Sequence, residues 1–440
     1  MSDTPIDATD KTKVGTYFVS NYPPYSFWSA NAVPDALAAL ERPPAADTPL
    51  GMYIHIPFCR KRCRFCYFKV YTDKNARQVN DYLDVVVEEL RLYSQKPVIA
   101  GRKPKFIYFG GGTPSYISTT QLRSLVDRMR PLLPWDEAEE VAFECEPGTL
   151  TRKKLEILKD VGITRLSLGV ENFDDKVLEI NGRAHDAAQV DKAYQMAREV
   201  GFPQINIDLI AGMIGETDEN WRECIRKTIE LSPDSVTIYQ MELPPNTVIS
   251  KEMRIMGQEE SAVASWGVKR GWVRYAFEEM EKAGYSTTSA YTVVKNPETT
   301  TFLYRDLLWT GADMVSLGVA SFAHIQGVHC QNEGHIERYS ERVRQGELPI
   351  YRALTTTPEE RMLRELILHM KKGEVDKRYF AGKHGVDLDA RFGDRFQELA
   401  RRGYLDDTPA RATLTREGLL RADQLLYQFF LPQHQVASAA

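Results

Sequence analysis

At 440 residues, with 43% hydrophobic and 27% charged side chains, the chain is long enough for one large globular domain and a smaller companion, in the proportions of a soluble enzyme. A formal net charge of −5 excludes a general nucleic-acid binder, which needs a basic surface. The first residues lack the apolar core of a signal peptide, no run of about 18 apolar residues offers a membrane span, and six cysteines in this length make no disulfide framework, so the cytoplasm is the expected compartment.

In chain order, residues 1–15 read as a loosely attached tail. Residues 16–31 crowd Tyr17, Phe18, Tyr22, Tyr25, Phe27 and Trp28 around Pro23-Pro24. That segment is too apolar to float free and too irregular for a helix. It reads as an arm strapped over the main domain, or as a lid over a flat apolar substrate. Pro43-Pro44 opens a linker, so residues 1–49 form a tail and aromatic arm.

From residue 50 the chain alternates β-like runs (52–56, 105–109, 140–145, 165–170, 204–210, 235–241 and 314–319) with amphipathic helical patterns (79–93, 119–132, 186–200, 220–231 and 259–283). The runs are rich in Val, Ile, Tyr and Phe, as buried parallel strands are. More than five βα units predict an α/β domain over 50–354, a partial or closed parallel (β/α) barrel. Residues 355–440 turn to helical patterns with breaks at Gly373, Gly385 and Gly403. Their β content (404–405, 412–414) is small, so they predict a mainly helical C-terminal domain that is winged if those runs pair.

Straight after the first strand stand Cys59, Cys63 and Cys66, spaced C-x3-C-x2-C. Three thiolates on one tight loop hold three irons of a [4Fe–4S] cluster and leave the fourth open to a small molecule. The alternative is a structural zinc site completed by His55 or a distant residue. Zinc knuckles, however, pair C-x2-C with a second such pair, and the chain has none.

Polar residues gather just past the later strands, where barrel active sites are built. They comprise Gly110-Gly111-Gly112-Thr113-Pro114, then Glu144 and Glu146, Glu171 and Asn172, Arg183, and finally Asn206 and Asp208. Acids in apolar strands are costly unless paired, and their equivalent positions in successive units point to one shared site. Carboxylates there suit ribose hydroxyls or an ammonium group, and Arg183 suits a carboxylate. Cys145, Cys224 and Cys330 stand singly and read as buried thiols. His324, His329 and His335 cluster near the last strand, either facing the pocket as metal or haem ligands or, more simply, filling core and surface.

Together these segments resemble the radical S-adenosylmethionine (SAM) superfamily and, within it, the oxygen-independent coproporphyrinogen III oxidase-like family. The resemblance rests on Tyr53-Ile-His-Ile-Pro-Phe-Cys59, Gly110-Gly-Gly-Thr-Pro114, Glu144-x-Glu-Pro147, Leu168-Gly-Val-Glu-Asn-Phe173, Asn206-Ile-Asp-Leu-Ile210 and Leu317-Gly-Val319, and it runs from about residue 50 to 430. It implies a [4Fe–4S] cluster on Cys59, Cys63 and Cys66, with SAM chelating the open iron and cleaved by one electron to a 5′-deoxyadenosyl radical. A reductant such as flavodoxin or ferredoxin would supply that electron.

Carried over by position, Tyr53, Gly111, Glu144 and Phe322 would contact the first SAM. Phe65, Gly112, Thr113, Glu171, Arg183, Asp208 and Met241 would surround a second, with Tyr53, Glu171 and Arg183 nearest the chemistry. Two departures mark this chain: Glu171 stands where the oxidase pattern has glutamine, and Tyr67-Phe-Lys-Val-Tyr71 lacks the oxidase's further cysteine. Three functions follow from the resemblance. The first is hydrogen abstraction from a hydrophobic or porphyrin-like small molecule, as in anaerobic coproporphyrinogen III decarboxylation; the second is C-methyl transfer or cyclopropanation with a second SAM; the third is a haem-binding chaperone.

Overall fold

The β-like runs pair into one sheet in the computed structural model, which describes residues 22–244, 246–255 and 263–435. The expected tail at 1–15, the start of the aromatic arm and the start of the helical pattern at 259 lie outside the described residues. Strands β1 (Leu50–Ile56), β2 (Pro104–Gly111), β3 (Glu140–Cys145), β4 (Arg165–Glu171), β5 (Gln204–Ala211) and β6 (Ser235–Gln240) lie side by side in sequence order. All are parallel. Right-handed crossovers stepping one way across a sheet put every connecting helix on the same face and leave the other face open and concave. The alternation agrees. Ile107, Phe109, Val141, Phe143, Leu166, Leu168, Ile205 and Ile207 are buried in the main core, and the intervening Tyr108, Glu144, Ser167 and Asp208 occupy the opposite face.

Beyond β6 lie the short strands β7 (Ser286–Thr287) and β8 (Thr292–Val294). Beyond β1 lie β9 (Asp313–Leu317), β10 (Phe322–Ile325), β11 (Val328–Asn332) and β12 (Ile350–Thr355). The twelve-stranded order is β12-β11-β10-β9-β1-β2-β3-β4-β5-β6-β8-β7. Its two ends do not pair among the described residues, so the barrel is partial. Only β9 of these flanking strands continues the parallel set; the others are antiparallel. β10 and β11 turn on Gln326-Gly327, both at positive φ (50° and 76°), the geometry a two-residue hairpin loop needs.

Capping boxes fix where several helices begin. Asn75 with Gln78 opens Ala76–Ser94, Ser118 with Gln121 opens Thr119–Met129, and Asp186 with Gln189 opens Ala187–Val200. The linker region holds a helix the sequence pattern does not announce, Val33–Leu40, with Pro34 in its first turn. Ahead of it the arm lies strapped across the sheet edge. Ser29 and Ala353 exchange backbone hydrogen bonds of 2.9 Å, and Trp28 stacks on His329 with centroids 5.0 Å apart. The Tyr22 hydroxyl accepts from Leu431 N at 3.0 Å.

The C-terminal unit packs Pro358–Lys372, Lys377–His384 and Leu388–Arg401 around Leu363, Leu366, Phe380 and Phe396. A small sheet of β13 (Glu374–Asp376), β15 (Arg411–Leu414) and β14 (Leu405–Asp407) completes it as a wing. No helix among the described residues is long and apolar enough to cross a membrane.

Candidate functional site

The cysteine loop leaves the end of β1 and is fastened on both sides. Gly112 N donates to Ile56 O (2.8 Å), Thr113 N to Phe58 O (2.9 Å) and Cys59 N to Tyr71 O (3.1 Å). Thr113 Oγ1 donates to Cys59 Sγ at 3.3 Å. Gly112 is the position that allows this approach: a Cβ there would stand 2.9 Å from the Pro57 carbonyl carbon and 3.0 Å from Cys59 Sγ. Arg60, one residue past the first cysteine, forks onto Glu146 (2.7 and 3.3 Å) and donates to Ala184 O at 2.8 Å. Glu146, grouped by sequence with the pocket acids, is thus a clamp for the loop. Burial would raise its carboxyl, but His185 and Arg60 hold it down at about 2.

From the helix Ala76–Ser94, Tyr82 Oη donates to His55 O (2.7 Å) and accepts from Val319 N (3.2 Å). Glu89 on the same helix accepts from Gly318 N (2.7 Å), Asn332 Nδ2 (2.6 Å) and Tyr339 Oη (2.6 Å). The ends of β1 and β9 are therefore held together directly behind the loop.

The three thiols fit an iron–sulfur cluster. Burial pushes Cys59 up to about 12 and Cys66 to about 11, so each would ionise to a thiolate only beside added positive charge. Arg183 brings one such charge, with Nη1 donating to Cys63 Sγ at 3.3 Å. Among the described residues no three His, Cys, Asp or Glu side chains are grouped to hold a single metal ion.

On the concave face beside the loop, Tyr53 and Tyr108 stack with centroids 6.0 Å apart, and Tyr53 Oη lies 3.1 Å from His55 Nδ1. Tyr108 Oη donates to Glu144 Oε1 (2.8 Å) and Gly111 N to Glu144 Oε2 (3.1 Å). Burial raises Glu144 to about 7, tempered by the Tyr108 hydrogen bond and reinforced by Asp208. Asp208 is also raised by burial; Ser167 Oγ (2.7 Å) and Asn206 Nδ2 (2.9 Å) donate to it and counter the rise.

Glu171 sits where β4 slips register between Gly169 and Glu171, at φ +66°. That region is unfavourable for a residue with a side chain. It faces Arg183, whose Nη2 lies 3.4 Å from Glu171 Oε1 and donates to Gly169 O at 2.6 Å. Burial lifts Glu171 to about 7 against the pull of Arg183.

Phe65 and Met241 pack together with Val177 and Met213 in a separate apolar cluster. Phe322 lies two strands from Tyr53. It meets the Trp28 ring at 5.6 Å, and its carbonyl accepts from Ser316 Oγ, which is in register with Tyr53. His324 and His329 form a buried pair, Nδ1 to Nδ1 3.2 Å, that takes up Tyr22 O through His329 Nε2 (2.9 Å). They anchor the arm.

Sequence reasoning passed over Tyr108, Ser167 and Tyr239. The signal was available: Tyr108 precedes Gly110 by two, Ser167 precedes Gly169 by two, and Tyr239 is four past Ser235, so period 2 places each on the face of the polar set. Tyr239 is 48% exposed, unusual for a sheet tyrosine of this fold's interior and expected where a strand face lines an open cavity.

Residues 53–228 match the family model described as the radical SAM superfamily, and residues 356–421 match the HemN C-terminal domain. The chain belongs to the radical SAM superfamily. It is 30% identical to the heme chaperone HemW of Bacillus subtilis (strain 168) over 86% of this chain and 98% of that protein. It is 24% identical to the oxygen-independent coproporphyrinogen III oxidase of Escherichia coli (strain K12), covering 88% of this chain and 83% of that one. The solved structure of coproporphyrinogen III oxidase (HemN) from Escherichia coli superposes with a TM-score of 0.81 at 22% identity, over 94% of this chain and 97% of that one. The radical SAM fold is thus common to both, and the cofactors of this superfamily member are a [4Fe–4S] cluster and SAM.

Proposed function

We propose that Cys59, Cys63 and Cys66 hold the cluster, and that the chain abstracts hydrogen from a hydrophobic, porphyrin-like substrate in the manner of anaerobic coproporphyrinogen III decarboxylation. The observation that carries this reading is the convergence of polar groups at the ends of β1 to β5 on the cysteine loop. Thr113 and Arg183 each touch a cysteine sulfur, and Glu144, Glu171 and Asp208 stand on the adjoining face. Cluster and SAM, when bound, supply the 5′-deoxyadenosyl radical.

The chain's own residues bind and orient. Glu144 is fixed by Tyr108 and the Gly111 amide, with an oxygen set for ribose hydroxyls or an ammonium group. Asp208 is held rigid by Ser167 and Asn206. Phe65 and Met241 offer an apolar seat where a second SAM would rest. The Tyr53–Tyr108 stack on β1 and β2 and the Tyr239 ring on β6 give aromatic surfaces that shield a reactive centre from water and suit a planar macrocycle. We place the protein in the cytoplasm, supplied by a flavodoxin- or ferredoxin-type reductant.

A haem-binding chaperone is the second reading. The full-length identity to the Bacillus subtilis heme chaperone and the absence of a cysteine between Cys66 and Tyr71 favour it. Reductive incubation with SAM and coproporphyrinogen III, followed by mass spectrometry, separates the readings. Protoporphyrinogen with 5′-deoxyadenosine supports the oxidase, and stoichiometric haem binding without turnover supports the chaperone. S-adenosylhomocysteine with another substrate supports methyl transfer, and failure to cleave SAM at all refutes the catalytic readings.

A further inference from the structure

A crevice of about 190 Å³ opens at the end of the sheet opposite the cysteine loop, where the base of the barrel meets the C-terminal unit. Its walls include Arg165, the first residue of β4, Arg305 and Asp306 on the helix Leu303–Trp309, and Lys372, the last residue of Pro358–Lys372. Arg165 is 2% exposed. Its guanidinium donates only to neutral oxygens: Gln204 Oε1 (2.9 Å), Thr301 O (3.2 Å) and Ser235 Oγ (3.0 Å). No carboxylate pairs with it among the described residues. The nearby Glu140 is taken up by the amides of Leu303 and Tyr304, at 3.0 Å each.

Arg305 Nη1 is buried without a hydrogen-bond partner. The one carboxylate of the wall, Asp306, is shared between Arg305 Nη2 (3.0 Å) and Lys372 Nζ (3.2 Å). Thr292 and Thr300 also line the crevice, are 3% and 8% exposed, and have hydroxyls that bond to no protein group among the described residues. Three cations therefore face one carboxylate of the wall, with Glu140 behind Arg165 and Arg305 engaged by backbone amides, and two unspent hydroxyls stand beside them. Leaving a buried cation unpaired is expensive.

We propose that this crevice is a binding site for an oxyanion of the phosphate class, either free phosphate or the phosphate group of a metabolite. A tetrahedral anion accepts hydrogen bonds from several directions at once, which matches cations and hydroxyls converging from two strands, a loop and two helices; a lone carboxylate is satisfied by one arginine fork. The site stands independently of the cofactor reading.

The test is calorimetric titration of the anaerobically prepared full-length protein, with inorganic phosphate or glycerol phosphate as probes and chloride matching the ionic strength. Saturable binding of a probe is expected, weakened at least tenfold by Lys372→Glu and several-fold by Thr300→Val, with iron content unchanged in both variants. Tighter binding of the ester assigns a phosphorylated metabolite, and binding of inorganic phosphate alone assigns the free ion. Absence of saturable binding with both probes, or the same affinity in wild type and both variants, overturns the proposal.

Discussion

Arg183 joins Cys63 to the slipped register of β4: Nη1 donates to Cys63 Sγ at 3.3 Å while Nη2 donates to Gly169 O at 2.6 Å. A guanidinium beside a ligating sulfur stabilises the more negative, reduced state of a cluster. Arg183→Met should keep the iron, since no ligand is lost, and make reduction harder. A charge-assisted hydrogen bond of about 1.5 kcal/mol corresponds to a shift of about 60 mV for one electron. Anaerobic redox titration followed by electron paramagnetic resonance should show the lower potential, and an unchanged midpoint would remove Arg183 from the cluster's surroundings.

The cysteine assignment has a direct count. Anaerobically purified protein should carry about four irons per chain, and Cys59→Ala, Cys63→Ala or Cys66→Ala should each lose them together with SAM cleavage. Cys145→Ala serves as the control, because its thiol is buried at the end of β3 and donates to Phe143 O at 3.8 Å. Full iron in any of the first three, or its loss in the control, contradicts the ligand set.

Gly112 carries a steric prediction. The atoms an added methyl would meet, the Pro57 carbonyl carbon at 2.9 Å and Phe58 O at 3.0 Å, belong to backbone held by hydrogen bonds from Tyr71 N to Pro57 O and from Thr113 N to Phe58 O. Gly112→Ala should therefore displace the cysteine loop, lowering stability by about 1–3 kcal/mol and reducing iron occupancy. Gly271→Ala, where an added Cβ meets nothing within 4 Å, should leave iron unchanged. Equal iron contents in both variants would show that the loop tolerates the shift.

Much of this architecture was legible in the chain, and the exceptions have physical causes. The parallel strands announce themselves through the Val, Ile, Leu and Phe side chains that they bury at alternating positions in the main core. β7, β8 and β10 to β12 are short, antiparallel and partly polar, so no run marks them; only Gln326-Gly327 hints at the hairpin. Strand period 2 would place Glu146 on the same face as Glu144, but β3 ends at Cys145 and Glu146 opens the turn Pro147–Thr149, and only the structure shows that Arg60 reaches it. The pairing of Arg183 with Glu171 depends on a register slip that leaves no trace in composition.

Tyr108 is the group whose removal should move a pH profile. Its hydroxyl favours the ionised form of Glu144, so Tyr108→Phe raises that carboxyl above about 7. If ionised Glu144 binds SAM, the variant should bind it about tenfold more weakly near pH 7, the cost of one lost hydrogen bond to a charged group, and recover toward pH 9. Equilibrium binding of SAM across that range is the measurement. A uniform loss at every pH would mean that Tyr108 acts only through packing on Tyr53.

Glu89 makes stability itself depend on pH. Burial pushes its carboxyl up to about 8, against the hydrogen bonds from Tyr339, Gly318 and Asn332, whereas a carboxyl in the unfolded chain titrates near 4.3. Between these values the folded chain holds a proton that the unfolded chain has released. The group's contribution is therefore fully present below about pH 4 and is lost as pH rises toward 8, by about 1.4 kcal/mol per pH unit. Glu89→Gln removes that dependence. It also turns an amide toward Asn332 Nδ2, which already donates to Gly318 O and Ser321 Oγ, at a cost of about 1–3 kcal/mol. Chemical unfolding of the cluster-free protein should thus give a variant that is less stable at pH 5 and nearer to wild type at pH 8. Parallel pH curves would show that Glu89 is ionised in the folded chain throughout.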